Sequence, residues 1–125
     1  MDAVTYRDLI VWQRAMDFVT EIYRLTAAFP RDEMYGMTSQ LRRAAVSIPS
    51  NIAEGNGRAT RKDYAHFVSI ALASTRELEA LLLISAELGF TERSVAQELE
   101  SRLDEIGRML FSMHRKLATP VNGLN

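Results

Sequence analysis

The stretch Ser47–Thr60, SIPSNIAEGNGRAT, decides how this chain folds, because it carries a proline and two glycines between two long runs with helical periodicity. At about 100° per residue, the apolar side chains from position 37 to position 55 share one side of a helix, and the polar ones from 43 to 58 share the other. A loop has no reason to keep that separation across Pro49. We therefore predict a second helix that continues through Pro49 with a kink and ends at Gly57.

A second interpretation of this stretch stays open, in which the helix ends at Val46 and a long loop follows. Pro49 has no N–H to donate to the Ala45 carbonyl, and a proline inside an ordinary helix costs about 3 kcal/mol. In the helical interpretation, Gly55 has no side chain and so lets a neighbouring helix approach closely.

Three further segments have the apolar spacing of amphipathic helices. Pro30 ends the first, Gly89 follows the last turn of the third, and Pro120 comes after the fourth. Thr60 is the predicted N-cap of the third helix and Thr91 that of the fourth. For the second helix, either Asp32 or Thr38 is a candidate N-cap.

The predicted helices span about residues 8–29, 33–57, 61–88 and 92–118, and residues 119–125 form a frayed tail. No segment has the alternating pattern of a strand. Short connections between long helices make neighbours antiparallel, so the predicted fold is an all-α, up-and-down antiparallel four-helix bundle with helix 2 kinked at Pro49. We expect residues 1–125 to form this single domain.

Composition excludes several classes of protein. The 125 residues contain no cysteine, so we expect neither disulfides nor a thiolate metal site, and a cytoplasmic location. We expect no signal peptide and no membrane-spanning segment, since the most apolar run, Leu81–Ile84, is far too short. Fifteen basic and sixteen acidic side chains give a net charge of −1, which predicts at most weak binding to RNA or DNA.

Residues for catalysis are scarce. His66 and His114 are the only histidines, and a di-iron carboxylate bundle needs Glu-x-x-His on two helices. Asp63 and His66 have this spacing once, with Asp in place of Glu, whereas Phe111 stands three residues before His114. We therefore predict no metal, no cofactor, no catalytic residue and no enzymatic activity.

A set of polar side chains on helix 2 and helix 3 is predicted to form a structural network that becomes buried when the protein assembles. Glu54 lacks a second acid, a metal or a histidine, so it is a poor candidate catalyst. Buried amide and carboxylate groups need partners, and such networks can fix the register of a bundle. The members are Arg43, Ser47, Asn51, Glu54 and Glu77, with Ser74 as a further partner from helix 3.

The charge is uneven along the chain. Between residues 42 and 62 five basic side chains accompany one acid, whereas nine acids accompany three arginines between 63 and 105. Repeated around a ring of subunits, the basic segment would form a belt that attracts RNA or DNA. The alternative is that these cations pair with the acidic segment of a neighbouring helix. The candidate belt residues are Arg42, Arg58, Arg61 and Lys62.

The segment LRRAAVSIPSNIAEGNGR at 41–58, followed by DYAHFVSIALASTRELEALLLIS at 63–85, resembles the proteins encoded in intervening sequences of bacterial 23S rRNA genes. The opening YRDLIVWQRAMDFVTEIYRLTAAFP at 6–30 resembles them too. The resemblance covers the chain from about Tyr6 to Leu117, and its most specific part is Ser-x-Pro-x-Asn-Ile-Ala-Glu-Gly.

The resemblance implies a four-helix bundle that assembles into a homopentameric barrel, with no defined biochemical activity. It also implies distant similarity to the accessory variability determinant of diversity-generating retroelements, which works with a reverse transcriptase and nucleic acid. The predicted function is therefore a non-enzymatic, self-assembling scaffold or interaction module. The alternative is a nucleic-acid-binding adaptor for an RNA-processing or reverse-transcriptase partner.

Overall fold

The computed structural model describes residues 5–120 and contains four α-helices. They are α1 (Ile10–Ala27), α2 (Met37–Asn56), α3 (Arg61–Glu87) and α4 (Arg93–Ala118). Short 3-10 turns, Tyr6–Asp8 and Arg31–Glu33, precede the first two, and residues 5–120 contain no strand. The predicted all-α four-helix bundle is confirmed.

Helix α2 continues through Pro49, as predicted, and the loop interpretation of Ser47–Thr60 is wrong. Pro49 is buried together with Ile48 and Ile52, so this turn of the helix belongs to the core. Packing of that apolar face offsets the backbone hydrogen bond that the proline removes. The kink at Pro49 stays a prediction.

The ends of the helices differ from the expected ones where local turns intervene. Helix α1 begins at Ile10, because Thr5 and Asp8 form a capping box around the first 3-10 turn. Helix α2 begins at Met37, whose N–H donates to the Glu33 carboxylate at 3.1 Å. Neither Asp32 nor Thr38 is its N-cap, since Gly36 occupies that position without a side-chain hydrogen bond.

Two of the predicted helix signals in the second half of the chain are confirmed and one is wrong. The Thr60 hydroxyl accepts a hydrogen bond from the Asp63 N–H at 3.0 Å, so Thr60 caps α3. Gly89 has a φ of 77°, the left-handed conformation that glycine adopts most easily. Thr91 is not the cap of α4, because Glu92 holds that position without a side-chain hydrogen bond. Of the predicted tail, residues 121–125 lie outside the described residues.

The core lies between all four helices and is made mostly of aliphatic side chains, with the rings of Phe18 and Phe29 buried among them. Its largest fully buried apolar members are Phe18, Ile22, Leu41, Ile48, Ile52, Leu78, Leu82, Leu103 and Leu110. Within residues 5–120, no helix combines the length and the apolar character that a membrane crossing requires.

Helix α3 approaches α2 closely at Gly55, and the sequence predicted such an approach by a neighbouring helix at this position. A Cβ atom at this position would lie 2.8 Å from the Phe67 Cβ and 2.8 Å from Cδ1 of Tyr64. Because such contacts are shorter than real Cβ atoms show, only glycine fits here without movement of α3.

Candidate functional site

Three polar side chains meet where α2 packs on α3, and we call them the polar seam: Ser47, Asn51 and Ser74. The Ser47 and Ser74 hydroxyl oxygens are 2.8 Å apart. The Asn51 amide donates to the Ser47 carbonyl at 2.7 Å and to the Ser47 hydroxyl at 2.9 Å. Ser47 therefore joins Asn51, one turn later on α2, to Ser74 of α3, and the three side chains hydrogen-bond inside one chain.

The other predicted network members surround the seam differently. Arg43 and Glu77 line an open cleft of about 390 Å³ beside Ser47 and Ser74, and both are exposed. Within residues 5–120, neither forms an ion pair shorter than 4 Å. Glu54 is exposed and pairs with Arg58 at 3.3 Å, so the single chain does not bring Glu54 into the seam.

Arg42 lies apart from the other candidate belt residues. Its guanidinium lies 4.4 Å from the centre of the Tyr23 ring and donates from Nε to the Thr26 hydroxyl at 2.8 Å. Arg42 lies 14 residues before Asn56, the end of α2, which is roughly 21 Å at 1.5 Å per residue, and Arg58 lies beyond that end. Arg42 therefore joins α1 to α2, and the single chain presents no continuous belt from Arg42 to Lys62.

Arg58, Arg61 and Lys62 do lie together, at the turn between α2 and α3. The Arg58 guanidinium lies 4.6 Å from the centre of the Phe67 ring and pairs with Glu54. Arg61 donates from Nη2 to the Lys116 carbonyl in the last turns of α4. That contact brings the end of α4 beside the turn, since α4 runs antiparallel to α3.

Two cations of α4 join this group, and we call the five together the basic end: Arg58, Arg61, Lys62, Arg115 and Lys116. Arg61, Arg115 and Lys116 line a cleft of about 540 Å³, with Phe111 on the same wall. Among residues 5–120, no carboxylate lies within 4 Å of these three cations or of Lys62. Sequence reasoning missed Arg115 and Lys116, although the antiparallel order of helices places the end of α4 near residue 61.

The histidines contribute no metal centre to the described chain. His66 is exposed and meets the Phe67 ring edge-on at 5.4 Å between centroids, and His114 is half-buried. Within residues 5–120, no three His, Cys, Asp or Glu side chains form a group that could hold a metal ion.

The fold and these surfaces define a small all-α bundle with a basic end and with a polar seam whose side chains hydrogen-bond to one another. The family model described as "23S rRNA-intervening sequence protein" matches residues 7–112, so the chain belongs to the 23S rRNA-intervening sequence protein family. This agrees with the resemblance carried by the SIPSNIAEGNGR segment.

A solved structure shares the fold. It is a protein of unknown function from the S23 ribosomal protein family of Bacteroides thetaiotaomicron, with a TM-score of 0.76 and 23% sequence identity. The match covers 85% of this chain and 99% of that chain, so the bundle is similar over almost its whole length. Comparison with curated protein sequences gives no match.

Proposed function

We propose that the protein is a non-enzymatic helical bundle that assembles with copies of itself, as a homopentameric scaffold or interaction module. The observation that carries this proposal is the presence of two separate strips of exposed apolar side chains on one chain. Isolated exposed apolar residues are ordinary, but contiguous patches mark interaction surfaces.

The first strip runs along α1 beside α2. Met16 and Tyr23 expose 42% and 43% of their surface, and Val46 is exposed on α2 one turn after Arg42, which contacts Tyr23. Trp12 and Val19, one turn away on the same side of α1, are half-buried. This α1–α2 strip is flanked by Arg42, whose guanidinium covers the Tyr23 ring.

The second strip lies on the outer face of α3 near its C-terminal end. Leu83 and Ile84 expose 53% and 45% of their surface, and Leu88 is exposed one turn later. Glu77 and Glu87 border this α3 strip and are exposed, and Glu87 pairs with Arg93 at 2.7 Å. The Glu77 carboxylate is complementary to the arginine that flanks the α1–α2 strip, which favours contact between the two strips of different copies.

Contact between two unlike surfaces is heterologous, and a heterologous contact closes a ring when the rotation between neighbours divides a full turn. The family resemblance gives five as the expected number of copies. Burying both strips would contribute about 25 cal/mol for each Å² of apolar surface removed from water.

Light scattering or native mass spectrometry on the purified protein tests this proposal. We expect a mass of five times the 14.1 kDa chain. Replacement of Leu83 and Ile84 together by glutamate should give a folded monomer, because charges on the strip oppose its burial. The matched control is Tyr35→Gln, which removes an exposed aromatic residue outside both strips and should leave the mass unchanged. A wild-type monomer at micromolar concentration would contradict the proposal.

The second candidate function is a nucleic-acid-binding adaptor for an RNA-processing or reverse-transcriptase partner. The basic end favours it, because four of its five cations have no carboxylate within 4 Å among the described residues. Binding to polyanions increases with each phosphate that such cations neutralise.

A further inference from the structure

We propose that the cleft at the basic end is a nucleotide-binding site. A phosphate would lie against Arg61, Arg115 and Lys116, and the attached base would stack on the Phe111 ring. This proposal rests on the second candidate function and does not require self-assembly.

The cleft is open to solvent, and its volume suits a ligand of this size. Its volume of about 540 Å³ falls in the range of sites for small molecules and cofactors, about 300–1,000 Å³. Two unlike parts of the chain form its walls, the first turn of α3 at Arg61 and the last turns of α4. Thr119 and Pro120 line the same cleft at the end of α4.

Three cations line this one cleft, Arg61, Arg115 and Lys116. The contact with the Lys116 carbonyl uses one N–H of Arg61, and a guanidinium has five, so most of its donors stay available. That contact joins the Arg61 guanidinium to the C-terminal end of α4, where the helix carbonyls attract positive charge. Arg115 and Lys116 follow on the adjoining face of α4, and both are exposed. Planar guanidinium groups match phosphate oxygens in pairs of parallel hydrogen bonds.

The aromatic ring gives the site its preference for a nucleotide over a simple phosphate. Phe111 lies one helical turn before Arg115, hence on the same side of α4, and exposes 52% of its surface. An exposed phenylalanine beside arginines is the combination with which proteins stack unpaired bases next to their phosphates.

A second cleft, of about 330 Å³, shares Phe111 with the first and continues along α3 and α4. Arg76 and Arg108 line it, and each pairs with an acid of its own helix, Arg76 with Glu79 and Arg108 with Asp104. A strand of nucleic acid could therefore place one nucleotide in the first cleft and the next beside Arg108. A free nucleotide would use the first cleft alone.

Fluorescence anisotropy with a labelled, mixed-sequence single-stranded RNA of ten nucleotides tests the site, at 50 mM and at 150 mM salt. Unlabelled AMP and inorganic phosphate serve as competitors. We expect binding at 50 mM salt that weakens steeply at 150 mM, with log affinity falling by about 0.7 per unit of log salt for each phosphate neutralised. AMP should compete better than inorganic phosphate, because only AMP has a base for Phe111.

Three variants locate the site on the chain. Replacement of Arg115 and Lys116 together by glutamine should weaken binding at least tenfold and lower the salt slope by about 0.7, for one lost phosphate contact. Phe111→Leu should weaken the binding of RNA and of AMP about fivefold or more, because it removes stacking on the base. The salt slope should not change, because no charge is lost. The matched control replaces Arg24 and Arg31 by glutamine; both are exposed at the opposite end of the bundle, and binding should not change by more than twofold.

These measurements distinguish two sources of the ligand, a nucleic-acid strand and a free nucleotide. If Arg108→Gln weakens the binding of RNA but not that of AMP, the natural ligand is a nucleic-acid strand. If AMP binds and RNA does not, the natural ligand is a free nucleotide. That second result contradicts the adaptor function but supports the nucleotide site. Absence of binding by wild type at 50 mM salt would overturn the site. The site would also be overturned if the Arg115 and Lys116 variant and the Arg24 and Arg31 control lost binding affinity equally. Light scattering on the same variants tests self-assembly separately.

Discussion

The two sides of the bundle are built differently. On the α2–α3 side, Gly55 brings the helices into direct contact and the polar seam joins them by hydrogen bonds. On the α1–α4 side, Arg14 of α1 pairs with Glu105 of α4 and lies 3.9 Å from the Met109 sulfur. A cleft of about 170 Å³ lies between these two helices, lined in part by Arg14 and Glu105.

The comparison shows where sequence positions are constrained. Where two helices are in direct contact, even one added atom must push them apart. Substitutions on the α2–α3 side therefore disturb the backbone. Helices joined by long side chains in water adjust to change, since those side chains move easily and exposed ion pairs contribute little. The Ser-x-Pro-x-Asn-Ile-Ala-Glu-Gly segment at 47–55 lies on the constrained side.

The largest effect is expected at Gly55. Gly55→Ala places a Cβ atom 2.8 Å from Phe67 and Tyr64 and 3.2 Å from the Tyr64 carbonyl, so α3 must move. We expect a loss of about 1–3 kcal/mol in the free energy of unfolding, measured by urea denaturation.

Gly107→Ala is the matched control for Gly55→Ala. Its Cβ would lie 3.6 Å from the Thr75 hydroxyl, an ordinary contact, and alanine favours a helix over glycine by about 0.5–1 kcal/mol. We therefore expect Gly107→Ala to stabilise the protein. Equal stability of the two variants would mean that the close approach at Gly55 carries no energetic weight.

The polar seam should give the next largest effect. Asn51→Ala removes both hydrogen bonds to Ser47 and should lower the free energy of unfolding by roughly 1–2 kcal/mol. Glu54→Ala breaks only an exposed ion pair with Arg58, so within a single chain we expect less than about 0.5 kcal/mol. Glu54→Ala should be compared in the wild-type oligomer and in the monomeric variant with Leu83 and Ile84 replaced by glutamate. If thermal unfolding shows a larger loss of stability in the oligomer but not in the monomer, assembly buries this carboxylate.

The smallest effect is expected on the α1–α4 side. A double-mutant cycle with Arg14→Ala and Glu105→Ala measures the interaction between these side chains, both of which are about half exposed. We expect a coupling energy of about 0.2–1 kcal/mol that decreases in 0.5 M salt. A coupling above about 2 kcal/mol would contradict the contrast between the two sides.

Patterns along the chain were enough to predict the helices and some of their contacts. Apolar spacing placed all four helices, and the continuity of the pattern across Pro49 was a better guide than the helix-breaking tendency of proline. Thr60 and Gly89 act through residues next to them, so their roles were visible in the sequence. Glu33 was missed because its carboxylate reaches Met37 only through a 3-10 turn, which has no strong sequence signal.

The candidate site was less predictable, because it depends on how helices rotate against each other. Ser47 and Asn51 share a helix face, and facing Ser74 completes the seam. Glu54 has a compatible spacing, yet the orientation that buries Gly55 against α3 leaves this carboxylate in solvent. The charge of Arg42 was evident, but its contacts with Tyr23 and Thr26 come from a helix sixteen and more residues away.

The limited contact between α1 and α4 also bears on how the chain reaches its fold. The extensive contacts join helices that follow one another in sequence, and only the α1–α4 contact requires the first helix to meet the last. Chains dominated by such local contacts fold in microseconds to milliseconds, because little loop-closure entropy is lost before native contacts form. We therefore expect folding to begin at the α2–α3 hairpin, which has a turn of only four residues between its helices, and α1 and α4 to pack on it afterwards.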